Sequence, residues 1–168
     1  MILHVDSDAL YLVEPGAKSR AGGYYYLFSH KFPKLNGPIH CMATLIKAIM
    51  SSVAEAELGG LFLNAINVVS MRSILFDMGH PQPPTPIKTD NTTTLGVATN
   101  TIKRKRTKAM DMRFHWLTDR QNQKQLQIYW APGKYNKGDY YTKHFPPTNH
   151  TQIRIQSESL ANLVTILI

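Results

Sequence analysis

The order of strand and helix patterns along this 168-residue sequence predicts an α/β fold. Extended patterns dominate the first part of the chain, one long helical pattern follows, and strands and helices alternate in the second half. This order is typical of a mixed sheet with helices packed on its faces. The length is that of one domain large enough to bury a core.

The strand patterns begin at the N-terminus. Residues 2–10 and 22–29 have the composition of strands, the second with a run of aromatic residues, and Glu14-Pro15-Gly16 supplies a turn between them. Residues 39–45 form a further short apolar stretch, whose spacing fits either a strand or a helix. The pattern does not decide between the two.

A long helix is predicted between a serine cap and a glycine stop. Ser51 or Ser52 can accept a hydrogen bond from the first turn, and Gly79 is a natural end because it tolerates a left-handed backbone. Between them, apolar residues recur at helical spacing. These residues are Ala54, Leu58, Leu61, Ala65 and Val69.

The second half begins with a proline-rich connector at residues 81–86. The patterns that follow are, in order, a strand at 87–90, a helix at 91–100, a helix at 109–123, a strand at 126–130 and a short last helix opened by Asp139.

Composition narrows the functional class. Nineteen lysines and arginines against eleven acidic residues give a formal charge of +8, which favours nucleic acid over an anionic membrane surface as partner.

Cys41 is the single cysteine, which excludes an internal disulfide framework and argues against a thiolate zinc site. No apolar run approaches the roughly 20 residues of a membrane span, and no secretory signal is recognisable. We therefore expect an intracellular protein, cytoplasmic or nuclear.

Four carboxylates stand at predicted element junctions beside apolar segments: Asp8, Glu57, Asp90 and Asp139. Because the chain has only eleven acidic residues, the placement of four of them beside apolar segments indicates that they bind a ligand. Carboxylate oxygens are the ligands that hard divalent cations prefer, so the pattern predicts a divalent metal site.

Short motifs around these acids resemble the ribonuclease H domain of copia-type LTR retrotransposon polyproteins over about residues 2–144. The motifs occur in the family's order and at compatible spacing. They are Ser7-Asp8-Ala9, residues 51–57 (SSVAEAE), Thr89-Asp90-Asn91, Arg106-Thr107-Lys108 followed by residues 111–115 (DMRFH), and residues 139–143 (DYYTK).

The resemblance implies a ribonuclease H-like fold, with a five-stranded mixed sheet whose first strands are antiparallel and helices packed on its faces. It also implies two Mg²⁺ ions, or Mn²⁺ in their place, which support cleavage of the RNA strand of an RNA–DNA hybrid by two-metal-ion hydrolysis. Carried over motif by motif, the catalytic and metal-binding residues are Asp8, Glu57, Asp90 and Asp139.

Neighbouring acids and simpler roles compete with these assignments. Asp6 shares a strand face with Asp8, and only the Ser-Asp-Ala motif favours Asp8. Glu55 lies about 200° around the helix from Glu57, so only one of them can face the metals. The resemblance, with its glutamate followed by a bulky apolar residue, selects Glu57 and implies a solvent-facing charge for Glu55. Asp90 could be a helix N-cap, and an acid opening a helix, as at position 139, could be favoured by the helix dipole alone.

The basic run has three interpretations. The run could bind the phosphates of the hybrid, serve as a nuclear-import patch, or form a solvated loop. It consists of Lys103, Arg104, Lys105, Arg106 and Lys108.

Farther along, the helical spacing of Met112, Phe114 and Trp116 favours packing over base stacking. We assign residues 1–147 to the ribonuclease H-like domain and residues 148–168 to a C-terminal tail of unknown role, either paired with a sheet edge or disordered.

The leading hypothesis is thus a metal-dependent endonuclease acting on RNA–DNA hybrids. The alternative is a catalytically silent, transposon-derived nucleic-acid-binding or interaction module.

A third interpretation, a retroviral-type integrase, is disfavoured. Integrases share the fold, but their acids run Asp, Asp, Glu, whereas the glutamate here comes second. Residues 133–138 lack the histidine that cellular ribonucleases H carry before the last aspartate. The chain begins almost at its first strand, so a reverse transcriptase domain of the parent polyprotein is an expected partner.

Overall fold

The computed structural model describes residues 1–29, 37–98 and 108–158. Over these residues the chain forms a single five-stranded sheet in the order β3-β2-β1-β4-β5. The strands are β1 (Ile2–Glu14), β2 (Lys18–Phe28), β3 (His40–Ile46), β4 (Thr85–Thr89) and β5 (Leu126–Trp130).

The sheet is mixed. β1 pairs antiparallel with β2, and β2 antiparallel with β3, whereas β1 pairs parallel with β4, and β4 parallel with β5. The predicted five-stranded mixed sheet with antiparallel first strands is confirmed. The segment that the sequence left between strand and helix is the edge strand β3, because it pairs along β2 from Ser19↔Ile46 to Tyr25↔His40.

The helices are α1 (Val53–Asp77), α2 (Thr92–Ala98), α3 (Lys108–Asn122) and α4 (Pro147–Glu158), with two short 3-10 helices at Gly133–Tyr135 and Lys137–Tyr141. Asp139 was expected to open the last helix, and it lies instead inside the second 3-10 helix. The described part of the predicted tail is helical, since α4 runs to residue 158. The rest of that tail lies outside the described residues.

The first hairpin is longer than the sequence pattern indicated. The turn occurs at the predicted place, with positive φ at Gly16 (74°) and Ala17 (56°). β1 nevertheless continues past residue 10, because its register with β2 shifts between Leu10 and Glu14 and then resumes. Leu12 takes a left-handed φ of 54° within this irregularity. A bulge of this kind interrupts the alternation by which strands are recognised.

α1 begins and ends where the sequence predicts. The Ser52 side chain accepts a hydrogen bond from the Glu55 amide, and the Glu55 carboxylate accepts one from the Ser51 amide. Gly79, with φ of 82°, follows the last turn. Glu55 is therefore a half-buried capping residue rather than the solvent-facing charge that was expected.

By length and composition alone, α1 could also cross a membrane, which the sequence analysis did not anticipate. Its inner face, however, packs on the central strands and forms the main core with Leu3, Val5 and Ile87. We therefore interpret α1 as the core helix of the domain.

A buried asparagine joins α1 to the sheet. Asn64 is fully buried, and its amide nitrogen donates hydrogen bonds to the Ser7 hydroxyl and to the Gly22 and Gly60 carbonyls at 2.9 to 3.0 Å. Its side-chain oxygen accepts one from the Tyr25 hydroxyl at 2.6 Å. These bonds connect α1 to β1 and β2, so they fix the height of the helix over the strands.

Replacing Asn64 with Leu should lower the free energy of unfolding by roughly 3–5 kcal/mol, because several buried partners each lose a hydrogen bond worth about 1–3 kcal/mol when left unsatisfied. The matched control Tyr25→Phe removes one hydroxyl from the same network and should cost about 1–2 kcal/mol. Urea unfolding followed by circular dichroism measures both. Equal, small losses for the two variants would show that the network does not anchor α1.

Candidate metal centre

Three of the four predicted carboxylates converge at the end of the parallel strand pair. Asp8 lies on β1, Glu57 lies near the start of α1, and Asp90 follows the last residue of β4. Each offers an oxygen, and these oxygens all lie within 4.8 Å of one another. Parallel pairing of Val5 with Ile87 brings the two strands into this register.

The N-cap interpretation of Asp90 is wrong. The side chain that caps α2 is that of Asn91, whose oxygen accepts a hydrogen bond from the Thr94 amide at 3.0 Å. The backbone carbonyl of Asp90 accepts a hydrogen bond from the Trp130 indole at 3.0 Å. Gly133 lies so close that a Cβ there would stand 2.5 Å from the Asp90 carboxylate. Asp90 is thus held from two sides while its carboxylate faces the other acids.

Burial and repulsion change the acidity of this cluster. Asp8 is 2% exposed and Glu57 is 7% exposed. Desolvation, together with the charges of Asp8 and Asp90, raises the pKa of Glu57 to about 9. Desolvation and the charge of Asp139 also raise the pKa of Asp8 to about 6, against the opposing effect of the hydrogen bond from Thr142. Without a cation, the cluster therefore retains a proton on Glu57 near neutral pH.

Asp139 lies beside the cluster without belonging to the trio of close oxygens. Its charge acts on both Asp8 and Glu57. One of its oxygens forms an ion pair with Lys143 at 2.7 Å. The other is buried, and no hydrogen-bond partner for it occurs among the described residues. An unsatisfied buried carboxylate oxygen is a position where a ligand or ion is expected.

The structure separates Asp6 from Asp8. The Asp6 carboxylate forms a buried ion pair with Lys88 at 2.6 Å and accepts a hydrogen bond from the Lys137 amide. It is therefore engaged elsewhere, while Asp8 faces Glu57 and Asp90. The strand period alone could not make this distinction, because it depends on residues that are about 80 and 130 positions away.

Solved structures share this architecture. The N-terminal RNase H domain of a Mycobacterium tuberculosis protein matches with a TM-score of 0.56 at 12% identity, covering 94% of this chain and 96% of that one. LC11-RNase H1 in complex with an RNA/DNA hybrid matches with a TM-score of 0.58 at 12% identity, covering 83% and 92%. The chain has a ribonuclease H-like fold.

Sequence comparison finds a similar segment in a retrotransposon polyprotein. The chain is 24% identical over 124 residues to the retrovirus-related Pol polyprotein from transposon TNT 1-94 of Nicotiana tabacum. The match covers 74% of the chain and 9% of that polyprotein, so this chain corresponds to a small part of its relative. No protein-family model matches. The predicted likeness to the ribonuclease H part of a retrotransposon polyprotein is confirmed.

Two residues beside this acidic cluster were quoted in the sequence motifs but given no role. The Thr142 hydroxyl donates a short hydrogen bond to Asp8, and Lys143 pairs with Asp139. Partial desolvation lowers the pKa of Lys143, but the hydrogen bond to Asp139 and the charges of Asp8 and Asp90 outweigh it and raise that pKa. The spacing of four residues between Asp139 and Lys143, in the helix predicted to begin at Asp139, was the available signal.

The predicted nucleic-acid-binding run cannot be placed. Lys103, Arg104, Lys105 and Arg106 lie outside the described residues, and Lys108 is described only as the first backbone position of α3.

The prediction of packing residues on α3 holds for two of three. Phe114 is 2% exposed, and Trp116 packs edge-on against Phe62 of α1. It is wrong for Met112, which is 77% exposed. Helical spacing identified the side of α3 that packs on the core, but it did not show that Met112 lies outside the packed part.

The donor set fits a hard divalent cation. Three close carboxylate oxygens and a fourth carboxylate with one unsatisfied oxygen supply negative charge that protons or Lys143 must otherwise balance. Oxygen ligands of this kind suit Mg²⁺ and Mn²⁺. Asp8, Glu57 and Asp90 would hold such an ion, and Asp139 is placed to complete the site.

Glu57→Gln should stabilise the protein at alkaline pH in the presence of a chelator. The pKa of Glu57 is raised from its usual value of 4.5 to about 9, so between those values the folded state binds more protons than the unfolded state. The contribution of Glu57 to stability therefore falls as pH rises through that window. Since pH 8 lies about 3.5 pH units above the usual pKa and each unit is worth about 1.4 kcal/mol, the variant should exceed the parent there by roughly 5 kcal/mol, and at pH 4 the two should agree.

Chemical unfolding at several pH values in chelator gives the difference. Glu55→Gln is the control, because it removes an acid only two residues away that caps α1 and lies outside the trio of close oxygens. It should gain no stability at pH 8. A pH-independent difference between Glu57→Gln and the parent would contradict the raised pKa of Glu57.

Proposed function

We propose that this chain is a metal-dependent endonuclease that cleaves the RNA strand of RNA–DNA hybrids, as the ribonuclease H part of a copia-type retrotransposon polyprotein. The observation that carries the proposal is the convergence of Asp8, Glu57 and Asp90 within 4.8 Å in a ribonuclease H-like fold. The relation to a retrotransposon Pol polyprotein supports it. So does the fold match to LC11-RNase H1, which was solved with an RNA/DNA hybrid.

The proposed cofactor is Mg²⁺, two ions in all, with Mn²⁺ as a substitute. Bound divalent ions activate a water for attack on phosphorus and stabilise the departing oxygen. Asp8, Glu57, Asp90 and Asp139 are the proposed ligands. Because Asp8 and Glu57 bind protons readily, metal binding must release protons, and binding should strengthen as pH rises.

The remaining residues of the site hold this arrangement. Thr142 orients the Asp8 carboxylate through its hydroxyl, and Trp130 fixes the backbone at Asp90. Lys143 places a positive charge beside Asp139. The same ammonium group would lie within reach of a substrate phosphate. The site therefore combines acids that bind metal with one base that offsets their charge.

The proposed partner is the hybrid itself. A formal charge of +8 supports phosphate binding, and we assign the basic run to the hybrid backbone. Ribose 2′-hydroxyls would distinguish the RNA strand, with little dependence on base sequence. A reverse transcriptase domain of the parent polyprotein is a further proposed partner, and the cytoplasm or nucleus is the proposed compartment.

Asp90→Asn should reduce cleavage of a labelled RNA–DNA hybrid by at least roughly 100-fold, because losing about 3 kcal/mol of transition-state stabilisation slows a reaction by about that factor. Asn keeps the size of the side chain and removes its charge. The control Asp119→Asn alters an acid on α3 whose side chain is 51% exposed, and it should leave the rate unchanged.

Single-stranded RNA, duplex RNA and duplex DNA serve as substrate controls, each with Mg²⁺, with Mn²⁺ and with chelator. The proposal requires metal-dependent cutting of the RNA strand of the hybrid alone. A folded parent protein that binds the hybrid yet cuts nothing with either metal would contradict the enzyme and leave the silent nucleic-acid-binding module.

A further inference from the structure

The segment that carries Asp139 is held on β1 by specific contacts. We call residues 133–142 the Asp139 segment; it contains both 3-10 helices. It lies on the face of the sheet where Asp6 and Asp8 point, opposite the face covered by α1 at Ser7 and Asn64. Because Asp139 comes from a short irregular segment rather than from a strand or long helix, its position depends on these contacts.

Asn136 provides the first contact. It is 6% exposed, and its amide nitrogen donates to the Ser7 carbonyl of β1 at 2.9 Å. Its side-chain oxygen accepts a hydrogen bond from the Gly138 amide at 3.1 Å and so caps the second 3-10 helix. One side chain therefore both starts the turn that contains Asp139 and ties it to the strand that contains Asp8.

Asp6 provides the second contact. Its carboxylate is 1% exposed, and one oxygen accepts from both the Lys88 ammonium at 2.6 Å and the Lys137 amide at 3.1 Å. A buried ion pair is weak evidence for stability, because desolvation offsets much of its attraction. The Asp6 carboxylate nevertheless binds the backbone amide of Lys137, two residues before Asp139, and so fixes that residue on β1.

A close approach between backbones completes the fit. A Cβ at Gly138 would stand 2.9 Å from the Asp6 carbonyl oxygen and 3.0 Å from the Asp8 amide nitrogen. At the far end of the segment, Thr142 bonds to the Asp8 carboxylate. Contacts to β1 therefore flank Asp139 on both sides.

We propose that Asp6 and Asn136 are positioning residues that set the place of the Asp139 carboxylate relative to Asp8, Glu57 and Asp90, and so determine the binding of the second metal ion. This inference rests on the proposed function. It separates the four carboxylates into two classes. Asp8, Glu57 and Asp90 are placed by the sheet and α1, whereas Asp139 is placed by side-chain contacts that single substitutions can release.

The test is a Mn²⁺ titration in which electron paramagnetic resonance reports free ion. The parent should bind two ions. Asn136→Ala carries no charge change, and it should keep one ion at close to the parent affinity while the other weakens by at least about tenfold, as is usual when an outer partner of a metal ligand is lost. For the hybrid, kcat should fall while KM stays near that of the parent.

A second variant and a control make the result specific. The double variant Asp6→Asn/Lys88→Gln preserves net charge and should also weaken one ion only; it carries the test if Asn136→Ala does not fold. Thr85→Val removes the hydrogen bond that the buried Thr85 hydroxyl accepts from Arg72, at the end of β4 opposite Asp90, and should leave both ions unchanged.

The outcomes distinguish the two proposals. Two ions bound at parent affinity in the variants would overturn the positioning role while leaving the proposed function intact. Equal weakening of both ions would also overturn it, because it would indicate a general loss of structure. A folded parent that binds no Mn²⁺ would contradict the proposed function itself.

Discussion

The structure depends on holding several carboxylates close together although they repel one another. Asp8 and Glu57 are almost fully buried, and with Asp90 they place three oxygens within 4.8 Å. Loss of water and mutual repulsion raise the pKa values of Asp8 and Glu57. Only rigid surroundings can maintain such a site. Parallel pairing of β1 with β4 and the hydrogen bonds of Asn64 supply that rigidity.

The same electrostatics connect the fold to the proposed chemistry. A proton retained on Glu57 near neutral pH competes with a divalent cation for the same oxygens and must leave when the cation binds. Lys143 and the hydroxyl of Thr142 moderate the charge from the side of Asp139. The site is thus built from two kinds of support. The sheet and α1 fix three acids, and the Asp139 segment adds a fourth through side-chain contacts with β1.

Much of the fold and the candidate site could be predicted from sequence, since strands, α1 and its caps are encoded by local patterns. The edge strand at residues 40–46 was ambiguous, because a short apolar stretch fits both periods and only its pairing with β2 decides. Asp6 could not be separated from Asp8, because its partners Lys88 and Lys137 are distant in sequence. The capping role of Glu55 and the charge-balancing role of Lys143 involve partners only three or four residues away, so local spacing carried a signal for both.

The most direct measurement of the central claim is a crystal structure of the chain grown or soaked with Mn²⁺, with anomalous scattering used to locate the ions. Anomalous peaks are expected among the carboxylates of Asp8, Glu57 and Asp90, one of them also contacting Asp139. Those peaks should disappear in Asp90→Asn crystals or fall sharply. Ordered crystals with ions bound elsewhere, or with Lys143 still paired to Asp139 and no peak at the cluster at saturating Mn²⁺, would contradict the assignment of these four residues to one metal site.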